Sequence, residues 1–349
     1  MPSSNPSMES VLVPGLPNDV AKLCLALVPR LEFPVMSCVS RAWKALLQSQ
    51  EFHIIRREAG TLEERLYALI SDPRSQALQW QVLSLDCSHW MSLPPMPGPT
   101  RSGFGFVVVD GKLLVMGGSC EGTSGLKPVA DVLKYDSALN RWSKVASMCA
   151  ARYEFACTVL GGRVYVVGGR GESGKNLSSV EVYDPQEDEW DHVPSLNRAR
   201  WGSIAFGVDG KLYVMGGRSS LTIGSPRCIS VFDPFSKEWG EVKSGCVMVL
   251  AHAVLDKKVY CIEWKNERKL AVYDPAWNAW KSVPIPLTGS LSLGFCLGSF
   301  NGKILLFPRR TDSGCKTLVY DPNASGNLEW QTSAVHPLGS CISCATITA

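Results

Sequence analysis

Residues 155–190 read FACTVLGGRVYVVGGRGESGKNLSSVEVYDPQEDEW. Two apolar runs, Phe155 to Leu160 and Arg163 to Val167, flank a turn, and the second ends in Gly168-Gly169. A polar, Gly-rich loop follows, then a third run closing in Tyr183-Asp184, a turn led by Pro185, and Trp190. Short runs rich in Val, Tyr and Phe, bounded by Gly, Pro, Asp and Asn, read as strands joined by tight turns. Helical spacing is absent.

The same order recurs outward in both directions. Trp90, Trp142, Trp190, Trp239, Trp280 and Trp330 are separated by 52, 48, 49, 41 and 50 residues, the length of one four-stranded propeller blade. Gly117-Gly118 and Gly216-Gly217 repeat the glycine pair, and Tyr135-Asp136, Phe232-Asp233, Tyr273-Asp274 and Tyr320-Asp321 repeat the strand end. The aromatic and the Trp that follows it are expected to bury their faces between adjacent blades. These residues resemble the kelch repeat. After Trp239 the pattern departs from it: Cys261-Ile262-Glu263 and Phe307-Pro308-Arg309 stand where the glycine pair is expected.

Ring closure is legible at both ends. Residues 66–70 resemble a second strand and 82–86 a third, and Trp90 opens a fourth, so only an innermost strand is missing. Cys341 to Thr348 supplies it, which protects the strand edges. The expectation is an all-β propeller of six blades over 66–349, closed by N- and C-terminal strands, behind a small N-terminal α-helical domain over 11–53. Residues 54–65 form a connector and 1–10 a disordered N-terminus.

Residues 11–53 follow different rules. Asn18 is expected to cap a helix whose Val20, Leu23, Cys24 and Leu27 fall at i, i+3, i+4 and i+7. Pro29 ends it, a second helix starts near Pro34, and a third, capped by Ser40, carries Trp43, Leu46 and Leu47. Such a module buries little by itself. Leu16-Pro17-x-Asp19, Val28-Pro29, Val39-Ser40-x-x-Trp43, Leu46-Leu47 and Phe52 resemble an F-box. An F-box followed by kelch repeats resembles a large family, best populated in plants, of substrate receptors for Skp-cullin-F-box (SCF) ubiquitin ligases. The resemblance implies that Leu16, Pro17, Asp19, Val20, Leu23, Val28, Pro29, Val39, Trp43, Leu46 and Leu47 dock on a Skp-family adaptor, and through it a cullin. The propeller then holds the target protein for ubiquitination and degradation.

Composition agrees with a non-catalytic role. The chain has 349 residues, and its 35 basic and 32 acidic side chains leave +3, far from a nucleic-acid-binding footprint. No signal peptide and no run of 18 apolar residues argue for membrane or export. Thirteen irregularly spaced cysteines read as reduced thiols, which places the protein in the cytoplasm or nucleus. Gly169 to Lys175 comes one residue short of a P-loop, since Asn176 stands where Ser or Thr is required. Cys341-x-x-Cys344 has metal spacing, but in an extended strand its thiols point to opposite faces. His53, His89, His192, His252 and His336 show no ligand spacing, so neither metal nor cofactor is expected.

Recognition is expected on the loops. Arg101, Arg152 and Arg200 each lie 10 residues before the Gly of the next turn (Gly111, Gly162, Gly210). Arg170 and Arg218 follow the glycine pair of two repeats, with Ser119 at that place in the first. With Tyr153 and Trp201 beside them, these residues outline a cationic arc suited to carboxylate or phosphate. The competing role for a recurrent Arg is to hold blade carbonyls or the strand-end Asp. The later blades offer Trp264, Lys265, Arg309 and Arg310 instead. Alternatives to the ligase role are a non-degradative kelch scaffold and a metal-dependent kelch protein.

Overall fold

The computed structural model describes residues 11–348 except 73–76, 85–86, 123–124, 138, 220–227, 244–248, 264–268, 287–293, 310–315, 325–328, 334–336 and 338. The chain divides into two compact units, Met1–Arg65 with Thr348–Ala349, and Leu66–Ile347.

The larger unit is a six-bladed propeller of four-stranded antiparallel sheets. Numbered in chain order from inside to outside, blade 1 comprises Gly105–Val109, Lys112–Met116, Val132–Asp136 and Arg141–Val145. Blade 2 comprises Ala156–Leu160, Arg163–Val167, Val180–Asp184 and Glu189–Val193. Blade 3 comprises Trp201–Val208, Lys211–Arg218, Ile229–Asp233 and Glu238–Val242, and blade 4 Val249–Leu255, Lys258–Glu263, Lys269–Asp274 and Ala279–Pro284. Blade 5 comprises Phe295–Phe300, Lys303–Pro308, Thr317–Tyr320 and Trp330–Ser333. In blade 6 the C-terminal Ser340–Thr348 takes the innermost place beside Glu64–Ser71, Leu78–Leu83 and Trp90–Ser92. The ring is therefore closed by strands from both ends of the chain, and the third strand of blade 6 runs over Leu78–Leu83 where 82–86 was expected. A two-stranded hairpin, Ser119–Gly122 with Gly125–Pro128, rises from blade 1.

The core is a set of layers between blades. Val107 and Leu114 of blade 1 pack with Val164, Val166 and Tyr183 of blade 2, and the same construction joins blades 2 and 3, 3 and 4, 4 and 5, and 5 and 6. The repeat aromatics work on two levels. Each pairs with the Trp directly across the sheet, with ring centroids 4.9–5.2 Å apart. The indole N–H then reaches back to the preceding blade: Trp142 donates to Pro94 O (2.9 Å), Trp190 to Ala146 O (2.9 Å) and Trp239 to Pro194 O (2.7 Å). The aromatic–Trp stack thus lies within a blade, while its edges stitch neighbours together.

The strand-end Asp fixes the turn that follows. Asp184 accepts from Gln186 N at 3.0 Å and pairs with Arg163 at 3.0 Å. The backbone donor lowers its pKa from the ordinary carboxylate value, more than Arg163 does. Tyr135, Tyr183 and Tyr273 donate their hydroxyls to Asn140, Asp188 and Asn278, turn residues with positive φ. In blade 3 the aromatic is Phe232, which has no hydroxyl, and the turn position is Lys237.

Candidate functional site

The N-terminal unit has four helices, α1 Asn18–Ala26, α2 Phe33–Val39, α3 Arg41–Leu47 and α4 Gln50–Glu58. Three were expected; α4 runs into the stretch assigned to a connector. Ser40 caps α3 by accepting from Trp43 N, and Ser49 caps α4 through Phe52 N. The residue ahead of α1 is Pro17, and Asn18 is already helical; its side chain accepts from Leu12 N (3.1 Å). Arg56 closes the unit. It is 2% exposed and donates to Ala26 O (2.9 Å), Val28 O (2.8 Å) and Thr61 O, with Glu63 at 3.5 Å.

The small core of this unit uses Leu25, Ala26, Met36, Leu46 and Phe52. Its outside is apolar. Val20 is 39% exposed, Leu16 40%, Leu23 53%, Val39 60%, Leu27 64% and Val35 67%. The stripe expected on α1 therefore faces outward, and Ala21, Leu25 and Ala26 form its inner face. Of the residues assigned to the adaptor, Pro17, Asp19 and Pro29 are also exposed, whereas Val28, Trp43 and Leu47 are half-buried. Leu46 is buried in the core, and Trp43 donates to Leu12 O at 2.8 Å. Those four mainly build the unit. Leu27 and Val35 are surface positions missing from the expected set.

In each propeller sheet, strand alternation places the loop after the second strand and the loop before the next blade at the same end. This brings the arc positions together as facing pairs: Ser102 with Ser119, Tyr153 with Arg170, and Trp201 with Arg218. The three recurrent arginines, however, turn inward. Arg101 is 3% exposed, Arg152 0% and Arg200 4%. Arg152 donates to Gly168 O (2.8 Å), Ser179 O (3.1 Å) and Ser179 Oγ (3.0 Å), and pairs with the fully buried Glu181. Arg101 reaches Gly117 O (3.3 Å) and Arg200 reaches Ser230 Oγ (3.0 Å). Burial lowers the pKa of Arg152, and Glu181 opposes that shift. Ser119 and Tyr153 are buried as well. Arg101, Arg152 and Arg200 leave the recognition set because their repeat position faces the joint between blades, and Ser119 and Tyr153 because they are buried where they face Ser102 and Arg170.

The glycine pair explains the inward turn. Gly168 has φ +64°, and a Cβ there would meet Arg200 O at 2.5 Å; Gly117 stands in the same relation to Arg152 O at 2.6 Å. Gly118 N donates to Arg152 O and Gly169 N to Arg200 O. Backbone packed this closely admits only Gly.

Arg218 is exposed, and Arg170 and Trp201 are half-buried. Arg170 Cζ lies 3.6 Å from the Trp201 ring centroid and Arg218 Cζ 5.3 Å. Glu154 approaches Arg170 Nε at 3.4 Å. Glu154 has φ +53° where the equivalent residues of the flanking blades are Gly103 (φ +63°) and Gly202 (φ +62°). A non-Gly residue there carries about 1–2 kcal/mol of strain. The signal was present in the sequence as a Glu aligned with two glycines. Arg309 is exposed and caps Leu250 O at 3.3 Å; Trp264, Lys265 and Arg310 lie outside the described residues.

Cys341 and Cys344 also depart from expectation. Burial at 341, 344 and 347 shows a closing strand without strict alternation, and both thiols meet Cys296, with Cys344 Sγ 3.5 Å from Cys296 Sγ.

An F-box domain matches residues 13–55, and a kelch-repeats domain of the KLHDC2/KLHL20/DRC7 type matches residues 72–217 and 103–307. An F-box/kelch-repeat protein of Arabidopsis thaliana is 48% identical over 342 residues, covering 98% of this chain and 91% of its own. The chain belongs to the F-box/kelch-repeat family. A second Arabidopsis relative of this family is 35% identical and covers 93% of both chains. The solved structure of YjhT aligns with a TM-score of 0.55 over 73% of this chain and 91% of its own; at 14% identity the likeness concerns the fold. The pairing of F-box and kelch repeats implies a substrate-adaptor role in an SCF ubiquitin ligase.

Proposed function

We propose that this F-box/kelch-repeat chain is the non-catalytic substrate-recognition subunit of an SCF-type ubiquitin ligase, working in the cytoplasm or nucleus. Its N-terminal unit docks on a Skp-family adaptor, which connects it to a cullin, and the loop face of the propeller binds the target protein. The observation that carries this reading is the exposed apolar surface of Leu16, Val20, Leu23, Leu27, Val35 and Val39 on so small a unit. Large apolar side chains left exposed in this number on so small a unit mark a protein-binding surface. The subunit supplies proximity and orientation, while a conjugating enzyme carries the thioester.

Co-purification tests the proposal. The intact chain should bring down the adaptor and cullin, and deletion of residues 11–53 should lose both while the propeller still folds. Equal recovery of adaptor by both proteins would refute it.

A further inference from the structure

Glu154 holds a left-handed backbone conformation that the two flanking blades assign to glycine, so at this position side-chain identity overrides backbone comfort. The backbone requirement is the same in all three: Glu154 N donates to Gly103 O (2.7 Å), and Gly202 N donates to Glu154 O (2.8 Å). Conformation therefore does not explain a Glu. What the Glu adds is a carboxylate beside Arg170, 3.4 Å from Nε. Arg170 and Arg218 in turn share one indole, that of Trp201.

Two guanidiniums on one ring repel each other, and Glu154 offsets only one of them. Arg218 is exposed and has no acidic partner among the described residues. Stacking on an aromatic face fixes the guanidinium plane and leaves its edge N–H groups free for an in-plane acceptor. The loop beside this cluster, Glu172–Gly174, packs against the hairpin strand Gly125–Pro128, which gives the site a wall on the blade 1 side.

We propose that Arg170, Trp201 and Arg218 read one anionic side chain, carboxylate or phosphate, on the target segment, with Glu154 as a resident carboxylate that the incoming anion must outcompete. This rests on the substrate-receptor reading above. Glu154 thereby weakens binding of a singly charged group and favours targets of higher local negative charge.

The test uses the full chain and immobilised peptide pools with phosphoserine, Glu, Gln or Lys fixed at one central position. Recovery of phosphoserine or Glu pools should exceed that of the Gln pool by about tenfold, equivalent to 1.4 kcal/mol. Arg218→Ala should bring the ratio near one. Glu154→Gly should raise recovery of the Glu pool several-fold without lowering the melting temperature. Arg163→Ala, a control at the other end of blade 2, should change nothing. Preference for phosphoserine alone identifies phosphate as the source, and equal preference identifies a carboxylate. Recovery of both the phosphoserine and the Glu pools no greater than that of the Gln pool, or a ratio unmoved by Arg218→Ala, overturns the proposal. Adaptor co-purification run on the same proteins separates the two readings, since the adaptor binds through residues these substitutions do not touch.

Discussion

In blade 2 the second strand ends in Gly168-Gly169, and the buried Arg152 donates to the Gly168 carbonyl. In blade 4 the corresponding strand ends in Cys261-Ile262, both fully buried, and Val247 stands at the place of the Arg. Blades 1–3 carry both the glycine pair and the arginine; blades 4 and 5 carry neither. Glycine pair and arginine therefore form one device. Bare backbone lets the next blade approach and exposes a carbonyl, which the guanidinium satisfies in blades 1 and 2, while in blade 3 Arg200 reaches Ser230 Oγ. Where side chains return, as with Ile262 and Phe307, apolar packing joins the blades and the arginine has no acceptor to serve.

Substitutions on either side of this contrast have graded effects. The largest effect is expected from removing residues 340–349, which leaves blade 6 without its inner strand; the melting temperature should fall by more than ~10 °C, and an unchanged value would reject the closure. Arg152→Met removes the counter-ion of the buried Glu181, which keeps only the Cys149 and Ala150 N–H donors, and should cost about 3–5 kcal/mol, whereas Arg152→Met with Glu181→Leu should recover part of it in denaturant titration. A double variant as unstable as the single one would show that the carbonyl bonds, not the ion pair, dominate. On the apolar side, Ile262→Ala should cost about 3 kcal/mol through a cavity. Gly168→Ala should cost about 2 kcal/mol, because its Cβ meets Arg200 O and its φ disfavours L residues. Smallest is Glu154→Gly, expected within about 1 kcal/mol of the parent since relieved strain offsets added chain entropy.

The blades were readable because Trp, glycine pair and Tyr-Asp recur at fixed spacing, and each has a single physical use. Closure was readable because one innermost strand was missing and one apolar run was left over. The recurrent arginines left two roles open, and Arg101 and Arg152 take the competing one, on blade carbonyls. Arg101, Arg152 and Arg200 recur like Arg170 and Arg218, and residue type alone does not reveal which of two loop positions faces the joint. On α1 the apolar stripe was legible from its spacing, whereas the inner face of Ala21, Leu25 and Ala26 was not, because two of its three residues are alanines with little apolar signal. Helix α4 was overlooked since its charged run Arg56-Arg57-Glu58 resembles a linker, while Arg56 is the buried staple of the unit.

Recognition should therefore depend on two separable surfaces, the apolar face of the N-terminal unit and the Arg170–Trp201–Arg218 cluster. The most direct measurement is a crossed affinity capture with the proteasome blocked, comparing Leu23→Glu/Leu27→Glu with Arg170→Glu/Arg218→Glu in the full chain. The first variant should lose the Skp adaptor and cullin yet retain targets, and the second should lose targets yet retain the adaptor. Loss of both partners in a folded variant of either kind, or loss of neither, would contradict the account.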